Sequence, residues 1–415
     1  MCSPLSVPDC MAGDPPETGR GKPWRSCNMQ INRAYRYELK PNKAQREHLE
    51  QHADVARFAY NWALERCREA LERGENRPNA IELHRIWNRW KKENAPWVYE
   101  VSKCAPQEAF RDMDRAFQHF LNGRKQGRRI GFPKFRRKGK DDRFRLTGTI
   151  RVGESWVQLP RLGRIRLKEK PKVLGCITSA TVKREADRWY VSLTVEQEIP
   201  EPEPVSGPVV GVDVGLTCFL ALSDGTKIYA PKPLEQYLRR LRQRSRQHSR
   251  KRKGSSNRRD SALRLARLHR RIRNIRRDFL HKITTELAKT RSVIVLEDLS
   301  VQGMMQNGKL ARAIADAGWR EFRKMLEYKT RWYGSQLVVA PRFYPSSKRC
   351  SACGYVMGEL PFFIREWCCP ECGIEHDRDI NAARNLRDWY LSTVSSTGIY
   401  ACGDGRLQAS AGARR

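Results

Sequence analysis

The stretch Cys350-Ser351-Ala352-Cys353, followed after fifteen residues by Cys369-Pro370-Glu371-Cys372 and then by His376-Asp377-Arg378-Asp379-Ile380-Asn381-Ala382-Ala383-Arg384-Asn385, decides how this chain is read. Two C-x2-C pairs at this separation suit four thiolates, those of Cys350, Cys353, Cys369 and Cys372, closing a tetrahedral zinc site. Four thiolates leave no open position for water, so such a zinc is structural. Cys368 lies beside Cys369 and leaves the register of the second pair open. A helix is expected over 381–390, and Asp379 just before it is either a metal ligand or an N-cap.

Two further acids sit at the ends of apolar strands. Asp213 lies in Val209-Val210-Gly211-Val212-Asp213-Val214-Gly215 and Glu297 in Val293-Ile294-Val295-Leu296-Glu297-Asp298-Leu299. A carboxylate in a buried strand needs a cation or a dense hydrogen-bond set, and an internal pair with an arginine is the simpler alternative. Asp213, Glu297 and Asp379 together would offer hard oxygen ligands suited to Mg2+, with Asp377 and Asp298 as rival ligands nearby. Two such ions about 3.5–4 Å apart can activate water and stabilise the leaving oxygen of a phosphodiester.

The chain of 415 residues carries a net charge of +35, far beyond what solubility needs, so a polyanion is the expected partner. Nucleic acid is the first choice, because no stretch approaches the roughly eighteen apolar residues that a membrane span needs. The thirteen cysteines are not preceded by a secretory pattern, so a reducing cell interior is expected. Scattered ones such as Cys67, Cys176 and Cys218 read as small buried apolar residues.

Residues 1–27 and 396–415 lack periodicity and are expected to be a disordered leader and tail. The alternation Ile31, Arg33, Tyr35, Tyr37, Leu39 reads as a strand ended by Pro41, with Asn42 and Gln45 as a capping box for a following helix. Residues 43–142 read as a helical unit followed by a basic segment carrying Phe132 and Phe135, and 143–200 as short alternating strands. The lone N-terminal strand (28–42) is expected to join that later sheet or barrel, which makes the helices an insertion. A Pro-rich linker at 199–204 marks a boundary. Beyond it, Asp224-Gly225 signals a hairpin, and 234–290 read as two helices, broken near Gly254, whose Lys and Arg far outnumber their acids.

The strands holding Asp213 and Glu297, the run Tyr344-Pro345-Ser346-Ser347-Lys348 before the first cysteine pair, and Asp377-Arg378-Asp379-Ile380-Asn381 after the second pair resemble TnpB proteins of insertion-sequence transposons and the compact type V CRISPR effectors. The resemblance covers about residues 205–390 by motif. It implies a multidomain α/β protein: a wedge β-barrel (28–42 plus 143–200) holding a helical recognition insertion (43–142), then a RuvC domain of RNase H fold (205–345 plus 374–395) with a zinc-ribbon insertion (346–373). It further implies an RNA-guided DNA endonuclease using two Mg2+ ions and a structural Zn2+, with guide RNA and double-stranded target DNA as partners inside a prokaryotic cytoplasm. The family's catalytic acids carry over to Asp213, Glu297 and Asp379, the last fixed by its distance to Asn381. A strand-transfer transposase of the same fold and a DNA-binding protein without cleavage are the rival expectations.

Overall fold

The computed structural model describes residues 28–361 and 363–396. The disorder expected of 1–27 and of the tail lies outside these residues, except at Ser396, which ends the last helix. In chain order the elements are β1 (Asn28–Lys40), α1 (Lys43–Glu72), α2 (Ala80–Asn94), α3 (Cys104–Lys125), β2 (Arg143–Leu146), β3 (Arg151–Val152), β4 (Trp156–Leu159), β5 (Gly163–Leu167), β6 (Cys176–Glu185) and β7 (Arg188–Pro200). There follow β8 (Val210–Val214), β9 (Leu220–Leu222), β10 (Lys227–Ile228), α4 (Pro233–Gln236), α5 (Leu238–Ser249), α6 (Ser256–Thr290), β11 (Val293–Glu297), α7 (Val301–Met304), α8 (Ala311–Ala317), α9 (Trp319–Tyr333), β12 (Gln336–Ala340), β13 (Glu366–Cys368), β14 (Glu375–Asp377) and α10 (Arg378–Ser396). Among the described residues no helix is long and apolar enough to cross a membrane.

The first sheet runs β2-β6-β7-β1-β5-β4-β3. β1 pairs with β7 along its length, from Asn28 with Pro200 to Leu39 with Trp189, so the N-terminal strand does join the later ones. Among the described residues no ladder joins β2 to β3, and the pairing is that of an open sheet. At Pro41 the strand must stop, since proline cannot donate to a ladder. Asn42 then caps α1: its Oδ1 accepts from Gln45 N at 2.8 Å, and Gln45 Oε1 accepts from Asn42 N at 3.1 Å. The helices close over their own aromatic core, in which Trp62 and Trp87 meet edge to face at 5.1 Å. Phe132 packs edge-on against Phe117 and Phe120, which pins the basic segment to this core.

The second sheet has the order β10-β9-β8-β11-β12. β8, β9 and β10 form an antiparallel meander, turned at Gly225 with φ +93°, while β11 runs parallel to both β8 and β12. One face is covered by α6 and α9 and the other by α10. Parallel strands buried on both sides explain the unbroken apolar runs around Asp213 and Glu297. At Gly211 the packing leaves no room: a Cβ there would lie 1.9 Å from Ala383 O and 2.7 Å from Arg387 N of α10. Both obstacles are backbone and cannot rotate away. Gly211→Ala is therefore expected to destabilise the protein by about 3 kcal/mol, read as a lowered midpoint in denaturant unfolding.

Two expectations need correction. Cys176 is exposed, unlike Cys67 and Cys218, because it begins β6 at the rim of its sheet. The charge on α6 is also less bare than its sequence suggests. Arg267 and Arg270 pair with Asp187, Arg273 with Glu185, Arg276 with Asp316 and Arg277 with Glu321. These acids come from other elements, which local sequence cannot reveal.

Candidate active site and zinc ribbon

Strand register and helix packing bring the three predicted acids to one face. Val210, Gly211 and Val212 pair in parallel with Ile294, Val295 and Leu296, and the same register continued by one residue sets Glu297 beside Asp213. Residues in register on parallel strands point to the same side. Gly211 faces Ala383, so Asp213, two residues further along the strand (about 6.6 Å), faces the same helix. Asp379 lies four residues before Ala383, about 6 Å back along α10. The two displacements lead toward each other.

The electrostatics agree with this convergence. Burial, then Glu297 and Asp379, push the Asp213 carboxyl well above its ordinary range, against the opposing pull of Arg378 and Arg365. Glu297 is also raised, by burial, and a hydrogen bond from Ser346 works against that rise. Asp379 Oδ1 accepts from Arg365 Nη1 at 3.1 Å, and Arg365 Nη2 donates to Thr217 Oγ1 at 3.3 Å. The carboxylate oxygens are not drawn into a closed cluster: among the described residues, the cysteine quartet is the group of possible ligands whose atoms all lie within 4.8 Å of one another.

The rival acids have other work. Asp377, not Asp379, caps α10, its Oδ1 accepting from Asp379 N at 3.1 Å and Ile380 N at 3.0 Å while Oδ2 pairs with Lys227 at 2.5 Å. The helix starts at Arg378, three residues earlier than expected, which puts Asp379 in its first turn and frees its side chain from capping. Asp298 pairs with Arg323 at 2.8 Å and Arg342 at 2.6 Å, and those two hydrogen bonds hold its carboxyl below the usual range.

In the ribbon, Cys350 Sγ lies 3.7 Å from Cys372 Sγ and Cys353 Sγ 3.6 Å from Cys369 Sγ. A tetrahedron with Zn–S bonds of about 2.3 Å has edges of about 3.8 Å, so the quartet has the dimensions zinc requires. Cys368 is exposed, directs its Sγ to Gly373 O at 3.3 Å and stands outside the quartet, which makes Cys369 the residue of the second pair. His376 Nε2 lies 2.9 Å from Cys350 Sγ. Burial opposes ionisation of Cys350, yet the Cys353 and Ala352 amides and His376 bring its thiol down to about 6. At Cys372 the Ile374 amide favours the thiolate, but burial and the neighbouring sulfurs prevail and push it up to about 12. Cys353 is raised as well, so neighbouring thiols are held up beside the lowered Cys350, a conflict that a divalent cation removes.

Sequence reasoning missed the residues that lock ribbon and acids together. Asn381 accepts from Ser351 N at 2.9 Å and donates to Arg349 O at 2.7 Å. Asn385, one turn on, donates to Ser346 O at 2.7 Å and Arg349 O at 2.6 Å. Ser346 in turn holds Glu297. These three residues lie inside motifs legible in the sequence, whereas nothing local marked Arg365.

Residues 192–308 match a family described as a probable transposase (OrfB_IS605), residues 29–76 its helix-turn-helix domain, and residues 319–386 the Cas12f1-like TNB domain. A protein of Streptomyces pristinaespiralis named "Putative RNA-guided DNA endonuclease" is 39% identical over 390 residues, covering 91% of this chain and 92% of that protein. The chain belongs to the TnpB family. A second relative of the same description, InsQ of Escherichia coli K12, is 31% identical over 394 residues, covering 91% of this chain and 95% of its own length. The solved Cas12f1–sgRNA–target DNA complex shares the TnpB chain's fold at a TM-score of 0.50 and 14% identity, over 87% of this chain and 99% of that one. The stretch matched as helix-turn-helix is here the strand β1 and the single long helix α1.

Proposed function

We propose that this chain is an RNA-guided DNA endonuclease of the prokaryotic cell interior, which cuts phosphodiester bonds at Asp213, Glu297 and Asp379. The observation that carries this reading is the convergence of three acids on one face of the mixed sheet, while Asp298 and Asp377 are committed elsewhere. The donors are hard oxygens, with Asp213 raised by burial and by repulsion from Glu297 and Asp379 and Glu297 raised by burial, which is the environment that a divalent cation such as Mg2+ relieves. Bound there, a pair of such ions would supply an activated water and stabilise the leaving oxygen. The chain's own part is to hold Asp213 and Glu297 on rigid strands, to aim Asp379 from the first helical turn and to fix Glu297 through Ser346.

The domain division proposed is a RuvC-like unit over 205–345 plus 374–395, a zinc ribbon over 346–373, and a wedge unit over 28–42 plus 143–200 with its helical insertion at 43–142. The strand order of the second sheet supports the RNase H-like reading, and a single apolar core drawing on both edge strands of the first sheet, from Phe144 of β2 to Val152 of β3, supports a curled, barrel-like wedge. Guide RNA would lie along basic grooves such as the one lined by Arg240, Arg244, Arg250, Lys251 and Arg264 between α5 and α6. Base pairing would then choose the target and the protein would sense heteroduplex shape.

Purification from cells, sequencing of the co-purified RNA, and cutting assays with and without that RNA in Mg2+ test the proposal. RNA-dependent cutting of matching duplex DNA is expected. Cutting that needs no RNA, or joined rather than hydrolysed strands, would favour a transposase instead. Ser346→Ala has a defined signature: without its hydrogen bond Glu297 stays protonated to higher pH, so the acid limb of the pH–rate profile moves up. We expect the variant's loss of cutting to be largest at the acid end of the profile and to shrink as pH rises.

A further inference from the structure

The carboxyl ends of β8 and β11 border a cavity of about 620 Å³ that reaches Glu297 from the side of the sheet away from α10. Its walls are mostly apolar: Val214, Leu299, Val301, Trp319 and Phe322 contribute, and Met305, 44% exposed, stands at the mouth. Arg320, Arg323, Lys324 and Glu327 of α9 line it as well, with Arg320 and Lys324 one turn apart and both exposed. Arg323 of the same helix is committed to Asp298 and Glu327, whereas Arg320 and Lys324 form no ion pair among the described residues.

The combination selects an occupant. An inorganic anion would leave the apolar walls without use, and a purely apolar ligand would leave two cations beside it unanswered. A duplex cannot enter a space of this size, but a single flat base with a phosphate attached matches both the walls and the cations. We infer that the cavity receives one unpaired nucleobase of the DNA strand being cut, with Arg320 and Lys324 on its phosphate. The strand would cross the sheet at its carboxyl end, its base in the cavity and the neighbouring phosphate at the acids on the other side. Cutting would then require a locally unpaired nucleotide at a fixed step from the bond. This inference rests on the nuclease reading, and its test separates the two.

The test uses the full chain with its guide RNA and target DNA carrying 2-aminopurine at each position flanking the cut in turn, in an Asp213→Asn background with Mg2+. A fluorescence change is expected at one position and not at the others, and Met305→Trp, which fills the mouth, should abolish it. In the active chain, Arg320→Ala with Lys324→Ala should raise the half-saturating target concentration about tenfold, while unfolding temperature and guide-RNA affinity stay as in the unaltered chain. Uniform fluorescence at every position, or a signal that survives Met305→Trp, would overturn the cavity assignment even if the unaltered chain cuts. A single responsive position in a chain that never cuts would keep the cavity and remove the nuclease.

Discussion

Asp213→Ala should slow DNA cutting at least about a thousandfold, a barrier increase of about 4 kcal/mol, while guide and target binding change by less than about twofold. The acid sits between Glu297 and Asp379 and is the one whose carboxyl both of the others raise. Losing it would leave two ligands facing each other across a gap, with no third oxygen to hold a cation in place. The companion Asp213→Asn should be equally inactive, and its stability should move in the opposite direction. A carboxyl whose pKa is higher in the folded than in the unfolded chain is most favourable below the unfolded value near 3.8, and it costs stability as pH rises toward the folded value. At neutral pH and without divalent cations, Asn removes that cost and should raise the unfolding temperature by about 2–4 °C for each 1 kcal/mol recovered. Adding Mg2+ should reverse the order, because the ion stabilises only the native carboxylate. Scanning calorimetry of the two chains with EDTA and with Mg2+ reads both effects; identical midpoints in every condition would mean that Asp213 holds no cation.

Much of this site was legible because strands write their partners into local sequence. Asp213 and Glu297 stood out as charges interrupting apolar runs, and a parallel sheet leaves a single register in which such runs align. Asp379 was harder. An acid before a helix reads as a cap, and only the resemblance, through the distance to Asn381, singled out Asp379; that Asp377 takes the capping role follows from the helix starting at Arg378, which local sequence did not show. The capping box at Asn42 and the union of β1 with β7 were likewise readable, since both follow from short-range chemistry or from an unpaired strand needing a ladder. What stayed hidden depends on elements far apart in the chain: the acids that neutralise α6, the Arg365 contact to Asp379, and a cavity whose walls come from β8, α9 and the segment after β11.

Cys369→Ser and Cys368→Ser, adjacent and chemically alike substitutions, should part company completely. The first removes a member of the quartet, and bound zinc should fall from one ion per chain to none; the second touches only Gly373 O and Cys369 O and should leave zinc content unchanged. The ribbon's own apolar core is small, built on Cys350, Leu360, Trp367 and Cys369, so it is expected to unfold once the metal is lost. Its collapse would reach the acids although none of them is a zinc ligand. Arg349 and Ser351, which Asn381 and Asn385 grip, flank Cys350, and the same loop carries Ser346 to Glu297. Freed from that grip, Glu297 would lose its positioning partner, and cutting should drop roughly 10- to 100-fold with all three carboxylates present. Zinc analysis by mass spectrometry, limited proteolysis across 350–376 and the cutting rate together check this chain of consequences. Full zinc occupancy in Cys369→Ser, or a resistant ribbon after zinc is stripped, would show that the quartet does not hold this part of the molecule together.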